Sequence, residues 1–291
     1  MDRIREILVK NGAGAYLKWW KNKSGTPEHM DFTMTSREVW DRDYRAHVVK
    51  DPAARINDDA LKATNDAVQR LHDNGAWWAF VGNQFLWENM RASLGDMTMY
   101  MSLVQDPGWI HDIGRCYTDM YKACWGRLFD NAQLPDGVWI YEDLGYRDRL
   151  FASPKVYKDL IFPYFAELVE FCHGYNLPVV LHTCGFTEPA LDMIVDAGFD
   201  GLHPMEVKAG NDSLRIADGY KDKLCFIGGL DVRILESHDK DLIRRKVIEI
   251  VEGMKSRGAR YVYASDHSIS TNVDYEDFTF AIDVYREHML Y

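Results

Sequence analysis

Residues 177–206 read Leu-Pro-Val-Val-Leu-His-Thr-Cys-Gly-Phe-Thr-Glu-Pro-Ala-Leu-Asp-Met-Ile-Val-Asp-Ala-Gly-Phe-Asp-Gly-Leu-His-Pro-Met-Glu. An apolar run from Pro178 to His182 meets a glycine turn, a helical pattern follows, and a second apolar run covers Gly201 to His203. Both runs are continuous rather than alternating, as expected of parallel strands covered by helices on both faces. The same alternation extends outward in both directions. Strand-like runs occupy Trp77 to Gly82, Gly137 to Tyr141, Leu224 to Ile227 and Tyr261 to Ala264, with Met30 to Thr33 as a weaker addition.

Helices between these runs carry their own start and stop signals. Ser153-Pro154 opens one whose face is Leu160, Ile161, Tyr164, Phe165, Leu168 and Cys172, ended by Gly174. Asp239 opens another, with Ile243, Val247, Ile250, Val251 and Met254 at helical spacing before Gly258. Asp274 opens the last, striped by Phe278, Ile282, Tyr285 and Met289. Asn57 to Gly75 and Pro107 to Asp130 read as two longer helices. Regular strand–helix alternation leads to a (β/α)8 barrel or an open doubly wound sheet. No Gly-x-Gly-x-x-Gly follows a strand, which removes the dinucleotide-binding version of the second. The expected fold is therefore α/β, a (β/α)8 TIM-like barrel. Residues 1–56 form an N-terminal helical or extended segment, and residues 57–291 the barrel body.

Composition agrees. With 47% hydrophobic and 27% charged residues in 291, a large core is available. No apolar run approaches the ~18 residues of a membrane span. Met1 to Lys10 lacks a signal-peptide core, so the expected location is the cytoplasm. A net charge of −11 argues against nucleic acid and polyanionic substrates. The five cysteines are odd in number and form no framework, as befits reduced thiols.

In a parallel barrel, chemistry gathers where strands end, because all those ends open on one face. Here the ends are Asn83-Gln84, Glu142-Asp143, His182-Thr183-Cys184-Gly185, His203-Pro204-Met205-Glu206, Gly228-Gly229-Leu230-Asp231 and Ser265-Asp266-His267-Ser268. Polar side chains converging from so many places point to an enzyme. His182-x-Cys184 is the sharpest signal: residues two apart on a strand point the same way, so both can reach one ion. An imidazole and a thiolate suit Zn²⁺, and a catalytic zinc keeps three protein ligands and one open position. His267, Glu142 and Glu206 are further ligand candidates. The competing reading is a buried Cys beside a hydrogen-bonded His. Asp231 and Asp266 equally suit helix caps, and Gly228-Gly229 a tight turn or a phosphate cradle.

Several of these segments are similar to the uroporphyrinogen decarboxylase superfamily. They are Leu177 to Asp212, Phe226-Ile-Gly-Gly-Leu-Asp231, Tyr263-Ala-Ser-Asp-His267-Ser, and more weakly Tyr141-Glu-Asp-Leu-Gly145 followed by Ser153-Pro154. The resemblance covers roughly residues 75 to 290. The superfamily's decarboxylases bind a porphyrinogen through an Arg-containing N-terminal motif and need no metal. This chain has no Arg-Gln-Ala-Gly-Arg-like segment. The other branch, corrinoid-dependent methyltransferases acting on coenzyme M, methanol-derived or methoxylated substrates, carries a His-x-Cys zinc motif that His182 and Cys184 match. That branch often takes its third ligand as a Cys in the last strand-end loop, where this chain has His267.

The resemblance implies a zinc-dependent methyltransferase moving a methyl group between a small methylated substrate and a corrinoid carried by a partner protein. Asp143, Glu142 or Asp266 would supply a proton, and Asn83, Glu142 and Asp231 would contact substrate. Two other readings stay open: a metal-free decarboxylase or other lyase with a basic pocket, and a non-catalytic paralogue with an occluded one. Relatives usually carry a longer N-terminal region with the first barrel strand, whereas Met1 to Ser36 is short and polar here. The barrel is then incomplete, completed by another chain, or shortened. Trp19, Trp20 and Phe32 would pack over the gap or join a symmetric homodimer.

Overall fold

The computed structural model describes residues 6–20, 27–76 and 78–290. Trp77, read from the sequence as opening the first barrel strand, lies outside the described residues. The chain begins with an antiparallel meander, β1 (Glu6–Lys10), β2 (Ala15–Trp20) and β3 (Glu28–Phe32), in the order β1-β2-β3. A second sheet holds six strands in chain order: β4 (Phe80–Gln84), β5 (Gly137–Tyr141), β6 (Val179–His182), β7 (Gly201–His203), β8 (Cys225–Leu230) and β9 (Tyr261–Ser265). Pairings from β5 to β9 are all parallel, with helices in the connections. This is the α/β, TIM-like arrangement expected. Among the described residues no strand pairing joins β9 back to β4.

Met30 to Thr33 does not join the barrel sheet. It falls in β3 and pairs with β2, because a neighbouring strand is reached at little loop-closure cost. Nor is the N-terminal stretch merely polar. Glu6–Lys10 and Ala15–Trp20 flank the four-residue loop Asn11-Gly12-Ala13-Gly14, in which Gly14 takes φ +89° and donates its N–H to the Asn11 carbonyl at 3.1 Å, and a short Gly-containing loop between apolar runs favours a hairpin.

By its internal contacts the chain divides into two compact units. The first comprises residues 1–77, 84–134 and 156–168. Its core includes Trp40, Phe85, Trp87, Met90, Ile110, Tyr157 and Phe165, with the Trp87 and Tyr157 rings 4.7 Å apart. Helix Asp58–Asp73 is capped by Asn57, and helix Pro107–Asn131 by Asp106 with Pro107 at its first position. Helix Trp87–Gln105, which periodicity did not disclose, is kinked at Gly95 (φ +73°). A Cβ there would strike the Phe32 ring of β3.

The second unit comprises residues 78–83, 135–155 and 169–291. Val138, Ile140, Val179, Leu181, Leu202 and Phe226 are buried in its sheet. Helix Lys240–Ser256 is capped by Asp239, which accepts from the Asp241 and Leu242 N–H groups. It buries the stripe Ile243, Val247, Ile250, Val251 and Met254 read from the sequence. The helix expected from Pro154 to Gly174 is instead two, Pro154–Leu160 and Phe162–His173. Pro163 has no N–H for the Asp159 carbonyl and disfavours helical backbone just before it, so the break falls there.

Candidate metal centre

Strand register sets the centre of this site. Tyr141 on β5 pairs with His182 on β6, and His182 with His203 on β7, so three neighbouring strands end in a row of rings. The Tyr141 ring stacks on His182 at 4.0 Å and 10°, and Trp139 packs 4.8 Å from His203. His182 is only 7% exposed. Its Nδ1 lies 2.6 Å from Nδ1 of His203, a contact that requires one ring to donate and the other to accept.

The opposite edge of the His182 ring faces two other groups. Nε2 is 3.4 Å from Cys184 Sγ and 3.5 Å from Asp143 Oδ1, and the Cys184 N–H donates to the same Oδ1 at 3.0 Å. One ligand atom from each of Asp143, His182 and Cys184 falls within 4.8 Å of the other two.

Backbone packing holds the turn that carries Cys184. Gly185 has φ +80°, and a Cβ there would lie 2.2 Å from the Gly145 carbonyl carbon. Only two glycines allow the loops after β5 and β6 to approach so closely. Glu206 accepts the Gly185 N–H at 2.7 Å, and Asn211 donates to the Gly185 and Glu206 carbonyls at 2.8 and 2.9 Å. The Leu144 N–H donates to Thr183 Oγ1 at 3.0 Å, tying the two loops again.

The electrostatics divide the groups. Burial works to raise the Asp143 carboxyl, but hydrogen bonds from His182 and the Cys184 N–H outweigh it and hold it below the ordinary value. Burial, then the charges of Asp143 and Glu206, push the Cys184 thiol upward. Burial, then charge on His182, lowers His203 to about 3, so at neutral pH its ring is uncharged.

The remaining sequence candidates lie as follows. Glu142 is fully buried, and its N–H donates to the His182 carbonyl at 2.9 Å. Asp266 is fully buried and accepts the Val232 and Val207 N–H groups, each at 2.8 Å, which ties together the loops after β7 and β8. Its burial raises its pKa despite these bonds. Asp231 accepts the Arg233 N–H and pairs with its guanidinium at 2.6 Å. Asn83 is exposed on β4, and His267 is exposed after β9, outside the Asp143–His182–Cys184 group. Glu206 is buried and pairs with Lys208 at 3.2 Å. Gly228 and Gly229 take positive φ inside strand β8 and form no turn; a Cβ on them would strike the Pro204 carbonyl oxygen and Ser213 Oγ respectively. All five cysteines are free thiols. No helix among the described residues is long and apolar enough to cross a membrane.

Sequence reasoning did not assign His203 or Tyr141 a part in the centre. The signal was present in the parallel spacing of apolar runs, but using it required the register of three strands. A second cluster, His238 with Asp274 and Asp277, is an ion-pair network, since Asp277 is taken by Lys240 at 2.6 Å and His238 at 2.7 Å.

A family model of uroporphyrinogen decarboxylase (URO-D) matches residues 143–288, a span that begins at Asp143 and contains His182 and Cys184. Among solved structures, a methyltransferase from Methanosarcina mazei aligns with a TM-score of 0.69 and 16% identity, covering 94% of this chain and 76% of that one. A protein described as a vitamin-B12-independent methionine synthase from Listeria monocytogenes aligns at a TM-score of 0.42 and 11% identity, covering 72% of this chain and 63% of that one. The first likeness concerns the fold, and the second is too loose to carry an argument. No curated protein matches the sequence significantly.

Proposed function

The chain belongs to the uroporphyrinogen decarboxylase family, and from that premise we propose that it is a zinc-dependent methyltransferase. It would move a methyl group between a small methylated substrate, methoxy or thiol, and a corrinoid held by a partner protein. The observation that carries this reading is the grouping of Asp143, His182 and Cys184 within 4.8 Å. Imidazole nitrogen, sulfur and carboxylate oxygen are the donor types of zinc sites, and three protein ligands leave the open position that chemistry needs. The M. mazei methyltransferase of like fold supports the same reading. A metal-free decarboxylase has no use for such a set.

Zn²⁺ bound in this place would supply Lewis acidity and would hold a thiol as thiolate near neutral pH. The protein's own part is to hold the donors. His182 is clamped between Tyr141 and His203; with its Nδ1–H donated to His203, its Nε2 lone pair is directed to the ligand side. Asp143, considered from the sequence as a proton donor, would serve in this reading as the third ligand, since its Oδ1 lies 3.5 Å from His182 Nε2 and accepts the Cys184 N–H. Asp266 holds the neighbouring loops through its two backbone hydrogen bonds. Exposed His267 takes no part in this set.

Elemental analysis tests the proposal. The purified chain is expected to hold one zinc, and the His182→Ala/Cys184→Ala variant none. Zinc retained in full by that variant would refute the assignment. Substituting Phe for His203 removes the acceptor for Nδ1, and is expected to weaken zinc affinity about tenfold or more in a chelator competition.

A further inference from the structure

We propose that β1 is the self-association edge of this protein, pairing antiparallel with β1 of a second copy about a two-fold axis at Leu8. The strand pairs with β2 on one side, and among the described residues no strand covers its other edge. All five of its residues are exposed, including Ile7 (42%), Leu8 (63%) and Val9 (45%). Trp19, directly opposite Ile7 on β2, is 42% exposed and widens the apolar strip. Edge strands are usually blunted with charge at their centres, because their free N–H and C=O groups template pairing. Here the centre is apolar and the charges stand at the two ends.

The charge pattern selects the occupant and the register. Glu-Ile-Leu-Val-Lys is self-complementary when reversed. With Leu8 facing its own copy, Glu6 faces the second copy's Lys10, Ile7 its Val9, and Lys10 its Glu6. A parallel pairing in register would set Glu6 on Glu6 and Lys10 on Lys10, and a two-residue slip would leave charges opposite apolar side chains. Opposite charges directly across an antiparallel pair stabilise it and like charges destabilise it. Glu6 also pairs with Lys18 at 3.0 Å within its own meander, and a carboxylate has room to accept both partners. An edge-to-edge contact of this length is small, so the association is expected to be weak and concentration-dependent.

Sedimentation of the full chain tests this. The average mass is expected to rise from one chain toward two over roughly 1–100 μM. Lys10→Glu and Glu6→Lys each turn both attractive pairs repulsive, and each is expected to weaken association about tenfold or more; Lys10→Glu keeps the Glu6–Lys18 pair and leaves thermal stability nearly unchanged, whereas Glu6→Lys gives that pair up and lowers it slightly. An equimolar mixture of the two variants places every Lys opposite a Glu, and is expected to associate as well as the wild type. The double variant, with both charges exchanged, is expected to do so too. A wild-type monomer throughout this range, single variants that associate normally, or a mixture that stays monomeric would each overturn the proposal.

Discussion

Strand β6 buries all four of its residues, whereas β1 exposes all five. The two belong to sheets built in different ways. β6 lies between parallel neighbours reached through helical connections, so both of its faces are covered and its sequence is apolar up to His182 at its end. β1 is paired by one short hairpin to β2, and among the described residues no layer covers its three exposed apolar side chains. An apolar run is thus a core strand in one place and an exposed edge in the other. What separates them is the number of neighbours, not the residues. The covered sheet carries the candidate metal centre, and the open one offers a surface for association.

The largest expected contrast is in stability. Phe226→Ala, at a fully buried position of β8, is expected to cost ~3–5 kcal/mol, the usual range for emptying an aromatic site. Leu8→Ala in β1 is expected to change stability by less than about 0.5 kcal/mol. Urea denaturation measures both, and comparable losses would erase the distinction between the sheets.

Glycines sharpen the contrast. Gly185→Ala combines a positive φ with a collision against Gly145, and is expected to cost roughly 1–3 kcal/mol and to lower zinc uptake by shifting Cys184. Gly12→Ala, in the turn between β1 and β2, meets nothing within 4 Å and is expected to be near neutral in the same assays. Gly95→Ala should lie between them, at about 1 kcal/mol or more, because its Cβ would displace the Phe32 ring. Limited proteolysis should then cut the meander faster, while the parallel sheet keeps its protection.

The smallest effect concerns pH. Burial works to raise Asp231, but the Arg233 guanidinium and N–H prevail and hold its pKa below the ordinary value. A carboxyl depressed on folding stabilises the protein above its unfolded pKa, about 4 for Asp. That stabilisation is lost as pH falls through the depressed folded value. Asp231→Asn keeps the helix cap and removes the ion pair, so it is expected to lower stability by at most about 1 kcal/mol at pH 7. The difference from wild type should begin to shrink as pH drops below about 4 and vanish below the depressed folded value. A gap that persists into acid would show that the cap, rather than the charge, is what matters.

Much of the covered sheet was legible because its strands are short, apolar and bounded by turns. Gly137 to Tyr141 and Gly201 to His203 agree with β5 and β7 end for end, and the other runs differ by a few residues at their ends. Helix Trp87–Gln105 was not legible, since Gly95 breaks its stripe at the kink. The meander was not legible although the loop Asn11 to Gly14 marks its turn, because the charges around it make the segment read as polar. In the centre, His182 and Cys184 were visible as residues two apart where one strand ends.

The sequence by itself therefore determined where strands and helices form and which ends carry polar groups. It also placed His182 and Cys184 on one side, since a period of two or of 3.6 is a property of neighbouring residues. The tertiary structure alone decided that Asp143, rather than His267, lies beside His182 and Cys184, that His203 contacts His182, and that β3 pairs in the meander and not in the parallel sheet. Each depends on lateral register between segments far apart in the chain, such as His182 beside Tyr141 and His203. Register is fixed by backbone pairing and packing summed over the whole sheet, and no local run of residues contains that sum.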